Sequence, residues 1–147
     1  MGVFGKKAQE NAQNDIDQAL MNLRAKIVGN FVSVVVNDQI VTSNEVADAA
    51  ERLLRVATAK NYDAMLEYVA KTSVWINSDV LTKSPGEKAQ ILFNVVSGSA
   101  AIREFNTKKG NDHLNKDVTL ISMAFYSHLE SHPDFDEVLN ETKSITP

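Results

Sequence analysis

Cysteine is absent from this chain of 147 residues. That excludes disulfides, thiolate metal centres and a cysteine nucleophile, and it fits a reducing compartment. Long hydrophobic runs are also missing. The densest apolar patch, Ile27 to Val36, is broken by Gly29, Asn30 and Ser33, well short of the roughly 18 residues a membrane span needs. The opening Met1-Gly2-Val3-Phe4-Gly5-Lys6 lacks the apolar core of a secretion signal, so a cytoplasmic location is expected. An excess of positive charge is missing too. The formal net charge is −4, which provides no general field for nucleic acid. The basic pairs Lys6/Lys7, Arg24/Lys26, Arg52/Arg55 and Lys108/Lys109 are scattered and read as solvated faces. Phosphate-cradling glycine loops, a dinucleotide fingerprint and a Gly-x-Ser-x-Gly elbow do not occur. An enzyme is therefore not expected.

What remains is a globular composition, 44% apolar and 23% charged, in a chain long enough to bury a core without covalent staples. The apolar spacing is helical almost throughout. Ile16, Leu20, Leu23 and Ile27 recur at intervals of four, three and four. Val46, Ala49, Ala50, Leu53, Leu54 and Ala57 form a second stripe. Met65, Leu66 and Val69, with Val74 and Trp75, form a third, behind an Asn61 cap. Start signals are clear. Thr42 followed by Glu45 is a capping box, and Ser84-Pro85-Gly86-Glu87 adds proline at the first helical position. Ala89, Ile91, Leu92, Val95, Val96, Ala100 and Ile102 continue that helix, whose Ser97-Gly98-Ser99 would bend it or admit a close neighbour. Gly110 suits a turn, Asn115 a cap, and Val118, Ile121, Ala124, Phe125 and Leu129 another stripe ending before Pro133.

The expected fold is all-α, a compact bundle of six to seven helices, with two pseudo-repeated helix–loop–helix halves as an option. Its domain plan is a flexible arm at 1–14, one helical domain at 15–140, and a disordered tail at 141–147. The run Phe31 to Val36 is ambiguous. Its β-branched residues suit a strand as well as a helix, but without a visible pairing partner its backbone groups would go unsatisfied. Helix is therefore expected there, and Asn77 to Lys83 is expected to be a connector.

A weak internal echo links two corners. Asn37-Asp38-Gln39-Ile40 is matched by Asn111-Asp112-His113-Leu114, and each precedes a helix with an early acid, Glu45 or Asp117. Chance and ordinary capping chemistry account for it as well as a duplication does. The first corner resembles the acidic corner of TerB-like tellurite-resistance domains, which are small helical bundles. Asp38, Val41, Thr42 and Glu45 fall where that family has Asp, an apolar residue, Ser or Thr, and Glu. Gln39 stands where the family has glycine, and the second corner lacks an equivalent glycine. The resemblance implies Asp38, Glu45, Asp112 and Asp117 as oxygen ligands for Ca2+ or Mg2+, hard cations that take carboxylates. The competing reading makes these four residues loop and capping acids.

His128 and His132 are four residues apart, a zinc-compatible spacing. Pro133 disfavours a helical His132, and two surface histidines at a helix end are the simpler expectation. The functional expectation is a non-enzymatic protein-interaction or stress-response module with a protein partner, tuned by a divalent cation at the two acidic corners. The alternative is a small accessory or inhibitor protein that binds a host or phage enzyme without metal.

Overall fold

Among the described residues, apolar residues three and four apart become the buried stripes of seven helices. The computed structural model describes residues 17–29, 31, 33–58 and 60–145. The arm expected at 1–14 lies outside these residues. Helix α1 covers 17–29, α2 Ser43–Arg55, α3 Tyr62–Val74, α4 Ser78–Leu81, α5 Pro85–Lys108, α6 Asn115–Glu130 and α7 Phe135–Ile145. A single 3-10 turn, Asp112–Leu114, precedes α6. α6 is the hub. It packs on α2, α3 and α5, and α5 also carries α7 along its side. The centre is filled by Val46, Leu53, Met65, Val69, Ile121 and Phe125, all with negligible exposure. The all-α bundle expected from periodicity is therefore the fold. None of the described helices is long and apolar enough to cross a membrane.

The run at 31–36 is the main departure. Val34–Val36 is a strand, β1, paired antiparallel with β2, Gln39–Val41, in the register Val34 to Val41, Val35 to Ile40 and Val36 to Gln39. The expected helix is absent because the missing partner is the next three residues. Asn37 and Asp38 close the hairpin with φ of +51° and +64°. Two positive φ values in a two-residue loop define a type I′ turn, whose twist matches that of paired strands. Asn and Asp are the non-glycine residues that tolerate this region best. The hairpin packs on α6 through β1. Val34 and Val41 are buried, while Val35 (60% exposed) and Ile40 (66% exposed) face outward as a cross-strand pair.

Smaller corrections have similar local causes. The expected connector at 77–83 contains α4, because the Asn77 side chain caps it by accepting from the Val80 N–H (3.0 Å). The tail is helical through Ile145, and that residue leans on the core. Asn115 does not cap α6. It lies within the helix, and its side chain bonds Asn106 (3.0 Å) and Thr107 (3.3 Å). Thr42 and Ser84 do cap, each accepting from the N–H three residues on, at 3.2 Å. Ser97-Gly98-Ser99 leaves α5 unbroken. A Cβ on Gly98 would lie 3.0 Å from the Tyr68 ring, so glycine here permits the close approach of α3.

Because Asp38 occupies a left-handed position, Asp38→Gly should stabilise the fold by about 0.5–1 kcal/mol, whereas Asp38→Val should cost roughly 1–2 kcal/mol. Urea denaturation of both variants checks this, and the two midpoints should move in opposite directions.

Candidate functional site

The two acidic corners can be judged from their partners. Asp38 is exposed at the hairpin tip, Glu45 is exposed in the first turn of α2, and Asp112 is exposed in the 3-10 turn. Asp117 differs from these three. Its carboxylate is 3% exposed and is held by the Arg52 guanidinium, with Nε at 3.2 and 3.1 Å from the two oxygens and Nη2 at 2.8 Å from one. That hydrogen bonding, stronger than the opposing effect of burial, raises the Arg52 pKa. Among the described residues, no three His, Asp or Glu side chains converge as a metal site. The structure therefore does not gather Asp38, Glu45, Asp112 and Asp117 into one coordination shell. It uses Asp117 to join α6 to α2.

The histidines are divided in the same way. His128 is buried on α6, where its Nε2–H donates to the Asn77 carbonyl at the joint before α4. It is not the surface residue expected. His132 lies beyond the end of α6, as Pro133 requires, and its Nδ1–H donates to Asp134 at 2.7 Å. Asp134 also accepts from Lys88 Nζ at 3.0 and 2.8 Å. The Lys88 side chain is 1% exposed, so this pair is a closed latch between the first turns of α5 and the joint before α7. Its signal was present in the chain. Residues 88, 92, 95, 99, 102 and 106 fall on one helical stripe, and a lysine on that stripe must find a buried carboxylate. Asp117 and His128 sit on the inner stripe of α6 for the same reason.

A ladder of alternating charge ties α1 to α2. Arg24 pairs with Asp48 and with Glu51 (3.2 Å), and Arg55 pairs with Glu51 (2.8 Å) and Asp17 (3.4 Å). The two arginines, expected on solvated faces, join two helices.

The polar clusters are thus closed, whereas the apolar surface at Trp75 is open. Between α3 and α5 lies a cleft of about 330 Å³ bordered by Tyr68, Thr72, Trp75, Ile91 and Val95. Between α1 and α3 lies another of about 480 Å³, bordered by Leu23, Lys26, Leu66, Ala70, Val74 and Trp75. Trp75 and Lys71 line both. Leu66, Val74 and Trp75 were expected to face inward, but they are only half-buried. Tyr68 is buried. Its hydroxyl donates to the Val118 carbonyl (3.2 Å) and shares a hydrogen bond with Ser122. Burial raises its pKa against the pull of Ser122 and Ser99. Tyr68 therefore forms a rigid floor beside the cleft.

Compared with family models, curated proteins and solved structures, the chain matches none.

Two predictions follow from the closed clusters. Burial pushes the His128 imidazole below its ordinary value, against the opposing effect of its bond to Asn77. The unfolded chain then takes up this proton at higher pH than the folded one. The contribution is full above about pH 6.5 and declines as pH falls below it. Burial raises the Asp134 pKa, but the hydrogen bonds from Lys88 and His132 together outweigh it and hold the carboxyl low. Its contribution is lost only as pH falls through the lower folded value. His128→Gln, which keeps an N–H donor, should flatten the melting temperature between pH 7 and 5 and leave the decline below pH 4. The second concerns Asp117. Arg52→Ala leaves that buried carboxylate unpaired, and the loss should approach the ~3–5 kcal/mol of a broken buried pair, reduced because Arg52 is half-exposed. Millimolar calcium or magnesium should shift the melting temperature of neither parent nor variant, since a bound cation would stabilise by mass action.

Proposed function

We propose that this chain is a non-catalytic protein-interaction module whose docking face is the α1–α3–α5 surface around Trp75, and that its occupant is a segment of another protein. One observation supports this reading above the rest. Two open apolar clefts meet at the single tryptophan, itself half-buried, and tryptophan in an apolar patch is the residue type that most often dominates binding energy. The buried ionisable groups favour the same reading. Lys88, Asp117 and Asp134 are each held by an ion pair and His128 by a backbone carbonyl, so they act within the fold rather than facing either cleft. An accessory or inhibitor role is one form such a module takes. A role in stress response stands on the TerB-like corner alone, and cation tuning is not part of the proposal.

The test is site-specific photocrosslinking in the cells that make the protein. A benzophenone side chain at position 71 should give one major adduct, and one at position 143 on α7 should give none. After identification and purification of the adducted protein, Trp75→Ala should weaken its binding by about 2 kcal/mol, roughly thirtyfold. Unchanged affinity in a folded Trp75→Ala variant would overturn the docking face.

A further inference from the structure

We infer that the occupant of the cleft between α1 and α3 is an amphipathic helix of a partner protein, with carboxylates along one flank. This rests on the docking face proposed above and adds the chemistry of the partner. The shape argument comes from the walls. Leu66, Ala70 and Val74 line the cleft from α3 at intervals of four, and Ala19 and Leu23 line it from α1 at the same interval. Rows spaced by four are the ridges by which helices pack, and the alanine in each row keeps the ridge low. Such rows on both sides of the cleft offer a groove to a third helix. The ridge from Leu66 to Val74 rises roughly 12 Å, which matches the span of the i, i+3 or i+4, and i+7 anchors that amphipathic helices lay into grooves. Trp75 closes one end of the ridge and faces the second cleft as well.

The charge argument is independent of shape. The residues lining this cleft include two lysines, Lys26 and Lys71, and no carboxylate. Lys26 has no ion-pair partner among the described residues. Lys71 pairs with Glu67 at 2.8 Å, but both side chains are more than half exposed, and such a surface pair contributes little and exchanges readily. The cationic edge therefore belongs to the cleft, although the whole chain is acidic at −4. At physiological salt, screening over about 8 Å lets the near lysines outweigh the distant net charge.

The test uses two synthetic helical peptides against the full chain. Both carry leucine at i, i+4 and i+7. One has glutamates along a flank, and the other has lysines in the same places. Trp75 is the only tryptophan, so its emission reports the cleft directly, and amide chemical shifts map the site. The acidic peptide should blue-shift Trp75 emission and move the resonances of α1 and α3. The basic peptide should bind at least tenfold more weakly, and Lys26→Glu should shrink or invert that preference. Equal affinity for both peptides would overturn the inference, as would shifts confined to elements other than α1 and α3. Two other occupants would also overturn it. One is the chain's own residues 1–14, shown by a red-shifted Trp75 on their deletion. The other is a second copy, shown by a dimer that Trp75→Ala dissociates. If crosslinking finds a partner at position 71 that docks without an acidic helix, the docking face stands and only this inference fails.

Discussion

A buried ammonium must meet a carboxylate, and the Lys88–Asp134 pair sets where the ends of three helices meet. Lys88 lies on the core stripe of α5 and is fully enclosed. Taking its charge out of water costs several kcal/mol unless an opposite charge and good geometry repay it. Asp134, at the joint after α6, supplies both oxygens. Once that pair forms, α7 has to start beside α5, against which it packs extensively. The bonds Asp117 to Arg52 and His128 to Asn77 act in the same way on α6, joining it to α2 and to the joint before α4. Apolar packing alone tolerates sliding of one helix along another. Three polar pins, each satisfied in one register only, remove that freedom.

The hairpin shows a different constraint. Val34–Val36 and Gln39–Val41, joined by Asn37-Asp38, have no helical alternative once both turn residues adopt positive φ. Its inner face, Val34 and Val41, completes the core against α6, so a two-stranded ribbon that is marginal alone becomes stable as a lid on a helical bundle. Among the described residues only Asn37 and Asp38 carry positive φ without being glycine.

The proposed docking face arises from an imbalance in α3. Its apolar residues cover a wider arc than its neighbours bury. Met65 and Val69 reach the centre, while Leu66, Ala70, Val74 and Trp75 remain partly open between α1 and α5. The buried ionisable groups show the opposite pattern, since Lys88, Asp117 and His128 each meet a partner. Stability therefore resides in the closed polar pins and the centre of the core. The open surface around Trp75 is apolar, bordered by Lys26 and Lys71.

Local order was legible from the chain alone. Helix starts at Thr42 and Ser84, the turn at Gly110 and the stripes of α2, α5 and α6 depend on spacing and capping, which are properties of neighbouring residues. The hairpin was legible in principle, because its partner strand lies two residues away, and only the short length of Gln39–Val41 concealed it. The lysine, aspartate and histidine on core stripes were visible as anomalies, but their partners lie 46, 65 and 51 residues away. Which of the chain's carboxylates, guanidiniums and carbonyls meet them depends on how whole helices cross. The fate of the acidic corners and the openness of the Trp75 face were decided at that same level. Burial is a property of what lies opposite a side chain, and only tertiary structure puts something there.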